Sequence, residues 1–222
     1  MARLLAITRP MPRWLLPVIL LLGLPVSHLL DRWAWRSLFY SYGPYPDLYY
    51  LFRVFGYLPA WLLAAALVAA LERPVLRSFK AVWRSKMVML VGAPALAGLG
   101  AIVLKIVVRR LRPASNSDDP LRFRPFTDDF FNGSGLAFPS EHAAVGFAAA
   151  IVLSWYYPKA RVIWWLWAIG CGLTRVVSRG HFVSDVYGGL IVAAGATWLL
   201  AGASRRDRMA AAASTSTARS RA

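Results

Sequence analysis

Three short clusters carry residue types that can move a phosphoryl group. They are Lys105 with Arg112 and Pro113, the run Pro139-Ser140-Glu141-His142, and Arg175 with His181 and Asp185. Arginine holds phosphate through a planar fork of donors, and lysine does so as a mobile point charge. His181 and Asp185 are four residues apart, which puts them on one helical face. A carboxylate that accepts from one imidazole nitrogen fixes the tautomer and leaves the other nitrogen free to attack phosphorus. His142 can donate a proton to a leaving oxygen. Ser140 adds a hydroxyl to the backbone N–H groups that bind anions at a helix start. Each feature also has a plainer reading. Basic residues at helix ends snorkel to headgroups, a serine caps a helix, and a His–Asp pair can be structural. Arg109 and Arg110, whose spacing matches nothing else, are read as snorkelling.

The elements that must position these residues are apolar. The chain of 222 residues is 58% hydrophobic and 16% charged, with ten Trp and a mean hydropathy of +0.49. That composition points to an all-α, polytopic membrane helix bundle rather than a soluble domain. Six apolar segments are read as transmembrane helices: 14–30, 51–71, 87–108, 143–157, 162–177 and 183–203. A spanning helix needs about 20 apolar residues. The fourth and fifth segments reach that length only with turns supplied by the flanking motifs. The first follows Arg3, Arg9 and Arg13 but has no clear small-x-small cleavage pattern, so it is read as a retained span. The six-span domain is placed at 1–204. The segment 205–222, rich in Ala, Ser, Thr and Arg without an apolar face, is read as a basic, disordered tail.

Every cluster falls at the end of an apolar segment. Alternating six spans puts the N-terminus, 72–86, 158–161 and the tail on one side, together with most of the Lys and Arg outside the motifs. The positive-inside rule then makes both termini cytoplasmic and turns the three clusters outward. The net charge of +16 fits anionic headgroups, and no nucleic-acid motif accompanies it, so no nucleic-acid partner is expected. The lone Cys171 excludes an intrachain disulfide and a thiolate-built metal site, and reads as a small buried hydrophobe. His28 reads as interfacial or structural. The tryptophans, including Trp33, Trp35, Trp61 and Trp83, fit aromatic belts. The long outer loop 113–137, with Phe123, Phe126, Phe130 and Phe131, is either a plain surface loop or an amphipathic lid.

Taken together, the clusters resemble the type 2 phosphatidic acid phosphatase superfamily, whose pattern is K-x6-R-P, P-S-G-H and S-R-x5-H-x3-D. Here the pattern reads Lys105-x6-Arg112-Pro113, Pro139-Ser140-Glu141-His142 and Thr174-Arg175-x5-His181-x3-Asp185, across about 87–203. The resemblance implies an integral-membrane, metal-independent phosphatase without a cofactor, acting on a lipid phosphate or pyrophosphate at an outward-facing site. It makes His181 the nucleophile that becomes a phosphohistidine, Asp185 its orienting carboxylate, and His142 the acid and then the base. Lys105, Arg112, Ser140 and Arg175 would hold the phosphoryl oxygens. Thr174 keeps the hydroxyl of the family Ser. Glu141 replaces the family Gly. Its carboxylate either turns away from the phosphate, or tunes His142 or meets a cationic headgroup. Two other functions fit the same residues: phosphotransfer to a lipid acceptor, and a non-catalytic protein that binds anionic lipid. No feature of the chain selects one lipid phosphate or specifies an oligomeric state.

Overall fold

The structure is a computed structural model, which describes residues 15–38, 46–71, 86–113, 119–129 and 131–219. The N-terminal arginines, the basic loop after residue 71 with Trp83, and Asp118 and Phe130 of the outer loop lie outside the described residues. Among the described residues there are eight α-helices, in chain order: α1 (Leu15–Leu29), α2 (Asp31–Ser37), α3 (Pro46–Val54), α4 (Leu58–Leu71), α5 (Lys86–Val108), α6 (Glu141–Tyr156), α7 (Arg161–Val177) and α8 (Val183–Arg219). A single 3₁₀ turn, Pro158–Ala160, joins α6 to α7. Among the described residues the only β pairing is two isolated antiparallel bridges, Arg110 with Phe123 and Leu111 with Leu136.

Helix α6 is the axis of the bundle. Its residues from Ala143 to Ala150, with Val152 and Leu153, are all buried. A helix that is apolar and buried all round is surrounded by other helices rather than by solvent. Small side chains on the neighbours make this possible: Ala93, Ala97 and Ala101 on α5, Ala168 on α7, and Ala193 and Ala196 on α8. Small residues let backbones approach closely, as membrane helix packing requires. The outer surface is the opposite. Leu63, Leu99, Val107, Leu166, Ile169 and Trp198 are exposed large apolar side chains. An apolar exterior around a small-residue interior suits a lipid surround.

Among the described residues three stretches are long and apolar enough to cross a membrane: Val88–Val108, Pro158–Val177 and Val183–Ala203. Two bent pairs pass the same test together, α1 with α2 at 48° and α3 with Leu58–Leu67 of α4 at 66°, which raises the number to at most five. Helix α6, with 16 residues, is not among them.

Several expectations need correction. Helix α8 continues through 205–219, where the composition predicts disorder. Ala210 to Ala213 have the highest helix propensity, so helical backbone there needs no apolar face. Trp61 does not sit on the outer surface as a belt residue would; it is buried, packs edge-on against Phe55 and donates to the Phe55 carbonyl at 2.9 Å. That bond holds the bend between α3 and α4. Cys171 is buried and unpaired by disulfide, as read from the sequence.

Candidate active site

One end of the bundle collects the C-terminal ends of α5 and α7, the N-terminal ends of α6 and α8, and helices α2 and α3. Lys105 approaches from α5, and Arg112 follows on a different kind of backbone. Helix α5 stops at Val108, and Arg109 adopts a left-handed conformation (φ 59°). The helix therefore does not run on to Pro113, and Lys105 and Arg112 do not share a helical face. Arg112 sits on an extended segment instead, its N–H donating to Gly135 O at 3.0 Å and its Nε to Leu136 O at 3.2 Å. The charge neighbours of Lys105 are nonetheless Glu141, Arg112 and Arg175.

Ser140 is the N-cap residue of α6, but its side chain makes no capping bond, contrary to the plain reading. Its Oγ is buried and has no hydrogen-bond partner. Its backbone N–H donates to Asp185 O at 2.8 Å, tying the start of α6 to α8. The packing there is tight: a Cβ at Gly189 would lie 2.8 Å from Ser140 O, so glycine is needed for the two helices to meet. His142 follows in the first turn of α6, with Arg175, Arg53, His181 and Lys105 as its ionisable neighbours.

The turn from α7 to α8 carries His181. Arg179 takes a left-handed conformation (φ 54°), and the Gly180 and His181 N–H groups both donate to Arg175 O, at 3.1 and 3.0 Å. Arg175 is buried and its Nε has no partner. Thr174 spends its hydroxyl on Cys171 O at 2.6 Å, within its own helix. His181 is buried, with Nδ1 3.7 Å from Asp185 Oδ2. That separation gives electrostatic attraction but is too long for a hydrogen bond, and such bonds often tighten only once substrate is bound.

Asp185 itself is firmly held. Its Oδ2 accepts the Phe182 N–H at 2.8 Å, and its Oδ1 accepts Arg110 Nη1 at 2.7 Å. Arg110 is the centre of a buried network that the motif pattern missed. It also donates to Ser184 Oγ at 2.6 Å, to Asp31 Oδ2 at 2.8 Å and to Pro120 O at 2.8 Å. Asp31 accepts the Ser184 N–H and hydroxyl at 2.9 and 2.6 Å, and pairs with His28 Nδ1 at 3.0 Å. Arg109, fully buried, donates to the carbonyls of Arg124, Pro125 and Asp128 and so pins the outer loop. Neither arginine snorkels. The signal available in the sequence was an Arg pair beside a span with an acid at position 31, and it is weak without the fold.

Burial pushes the His181 imidazole down to about 4; Asp185 opposes this, and the Arg175 and Arg112 charges add to it. The folded protein thus carries a neutral His181 where the unfolded chain, at 6.5, already takes up a proton. The group's stabilising contribution is complete above about 6.5 and is lost as pH falls towards about 4. Nitrogen-15 shifts of labelled histidine, assigned with His181→Gln, should show a neutral ring at pH about 6. A midpoint at the ordinary histidine value would contradict a ring held neutral by burial.

Two cavities lie at this end. The larger, about 300 Å³, is lined by Leu24, Pro25, His28, Phe123, Phe138 and others, with Arg110 and Ser184 on its wall, and it touches neither His142 nor His181. The smaller, about 200 Å³, is lined by Tyr50, Arg53, Val54, Tyr57 and His142.

Known proteins resemble this chain in part. A model described as PAP2 superfamily matches residues 86–208, more than half the chain. A lipid A 4'-phosphatase of Bacteroides thetaiotaomicron is 34% identical over 98 residues, 43% of this chain, and the match spans 43% of that relative's length. The crystal structure of a transmembrane PAP2 type phosphatidylglycerolphosphate phosphatase from Bacillus subtilis superposes with a TM-score of 0.59 at 20% identity, covering 86% of this chain and 96% of that one. The last likeness is one of fold.

Proposed function

The chain belongs to the PAP2 superfamily, and from that premise we propose that it is a membrane phosphatase that hydrolyses a lipid phosphate or pyrophosphate through a phosphohistidine. The observation that carries the proposal is the set of buried, open donors around two histidines. Ser140 Oγ and Arg175 Nε are buried without partners. Buried polar atoms are normally satisfied, and those left open at a site mark where a ligand completes them. Phosphoryl oxygens are the acceptors that would do so, with Lys105 and Arg112 supplying further charge.

In the mechanism, the His181 nitrogen distal to Asp185 attacks phosphorus while the bond to the leaving oxygen breaks. His142 gives that oxygen its proton. The resulting phosphohistidine is then attacked by water, whose proton His142 takes up. Inorganic phosphate leaves, and the free imidazole of His181 is regenerated. Asp185, held by Arg110 and the Phe182 N–H, stabilises the positive charge that develops on the ring. Lys105, Arg112, Arg175 and Ser140 stabilise the oxygens as charge builds, commonly the main source of rate enhancement in such sites. These residues supply the cationic charge that a metal provides elsewhere, so the proposal includes metal independence.

The proposed topology has six spans. Helix α6 is the fourth of these spans, short because its neighbours rather than lipid surround it. The site lies on the extracytoplasmic face with both termini cytoplasmic, on the strength of the Lys/Arg bias between the loops. The exposed Phe123, Phe126 and Phe131 suit the outer loop for contact with the membrane surface.

Glu141 lies against a proposed phosphate ligand, its Oε2 3.4 Å from Lys105 Nζ. Substrate would have to compete with that carboxylate. Lys105 is buried and Glu141 partly exposed; a pair screened on one side is worth up to about 1 kcal/mol, so Glu141→Gln should lower KM by up to about fivefold with little change in kcat. An unchanged KM would leave Glu141 without this role. The proposal as a whole is tested by phosphate release from a panel of lipid phosphates and pyrophosphates in excess EDTA, wild type beside His181→Ala. Release by the wild type alone supports it, and no release from any lipid by folded protein would overturn it.

A further inference from the structure

We infer that the cavity on the His142 side of the site is a leaving-group subsite, and that Arg53 selects substrates whose leaving group carries its own phosphate, a lipid diphosphate. The inference rests on the phosphatase reading for the identity of the scissile phosphate. In that reading His142 faces the leaving oxygen, so whatever is bonded to that oxygen enters the space His142 lines. That space, about 200 Å³, is walled by Arg53, Tyr50 and Tyr57, with Val54 as its one aliphatic residue. The polar groups on its wall are the Arg53 guanidinium, the Tyr50 and Tyr57 hydroxyls and the His142 imidazole, which the oxygens of a phosphoryl group can meet.

Charge argues the same way. Lys105, Arg112 and Arg175 already match a phosphate monoester dianion. Arg53 is a further cation near both His142 and Arg175. No side-chain hydrogen bond or ion pair is formed by Arg53 among the described residues. A second phosphate supplies the charge that Arg53 would meet, and Tyr50 and Tyr57 can donate to its remaining oxygens.

The wall is also built rigidly onto the catalytic segment. A Cβ at Gly56 would lie 2.4 Å from His142 O, so the turn after α3 rests directly on the backbone of His142. Trp167 Nε1 donates to Leu51 O at 3.0 Å, and the Trp167 ring stacks on Phe55 with centroids 5.7 Å apart. The bend between α3 and α4 therefore falls where it presents Arg53 to His142.

The experiment compares methylenediphosphonate with methylphosphonate, by calorimetric titration of the detergent-solubilised full chain. Wild type should bind the diphosphonate at least about tenfold more tightly, the usual worth of a hydrogen bond to a charged group. Arg53→Gln should lose most of that ratio, and Arg53→Lys should keep part of it. In parallel, the kcat/KM ratio of a short-chain prenyl diphosphate to dioleoyl phosphatidate should exceed one and fall at least about tenfold in Arg53→Gln. Equal binding of the two phosphonates by wild type, or a binding or kcat/KM ratio unmoved in folded Arg53→Gln, would overturn the subsite. Absence of turnover with these two lipids and with every other lipid of the panel would overturn the phosphatase reading instead, and the phosphonate titration would still decide the role of Arg53.

Discussion

His181→Ala is expected to lower lipid-phosphate hydrolysis on the order of 10⁴-fold or more, because a covalent nucleophile has no substitute among its neighbours. The contrast with His142→Ala is the informative part. In the proposed mechanism His142 donates to the leaving oxygen, so its loss should cost about 10²- to 10⁴-fold with a poor leaving group. With an aryl phosphate, whose leaving group needs no proton, His142→Ala should recover much of the first step while His181→Ala recovers nothing. Stopped-flow release of the aryl alcohol separates the two. Equal rescue of both variants would mean that the histidine roles are assigned wrongly.

Arg110→Ala is expected to be among the most destabilising single changes in the described part of the chain. It removes the partner shared by two fully buried carboxylates, Asp31 and Asp185. Leaving a buried charge unpaired costs about 3–5 kcal/mol, a large share of the usual net stability of about 5–15 kcal/mol. Thermal unfolding in detergent should show a markedly lower midpoint. Arg110→Lys should recover only part of the loss, since an ammonium cannot reach Asp31, Ser184, Asp185 and Pro120 together. A variant that melts with the wild type would show that the network is not held as described. Activity should fall with it, because Arg110 fixes one oxygen of Asp185 and thereby the carboxylate that faces His181.

Which parts of this were visible in the chain follows from how local each signal is. Periodic motifs and apolar length carry helix positions, so five of the six apolar segments correspond closely to single helices. The segment 51–71 does not: its first residues belong to α3, and the chain bends at Phe55–Tyr57 before α4. That bend depends on Trp61 folding back onto Phe55 O, a contact that hydropathy cannot register. Burial was equally hidden. Trp61 has the composition of an interfacial anchor and the location of a core residue.

The candidate site divides in the same way. Lys105, Ser140, His142, Arg175, His181 and Asp185 stood out because short spacings tie them to helix ends. Arg112 was found for its type, yet its placement depends on Arg109 breaking α5 and on pairing with the distant Gly135. Arg110, Asp31 and Ser184 were missed because their bonds join residues far apart in the chain. Arg53 was missed for a related reason: only the tertiary seat of α3 on α7, with the following turn against His142, brings it there.

The central claim is that a phosphoryl group passes through His181. It is tested most directly by rapid quench of the purified protein with a lipid substrate carrying radiolabel in the scissile phosphate. The expected result is protein-bound label that survives alkali, is lost in acid as a phosphoramidate is, maps to the peptide bearing His181 and is absent from His181→Ala. Its decay should match the turnover rate. Turnover with no bound label at any quench time, label on another residue, or undiminished hydrolysis by His181→Ala would contradict it.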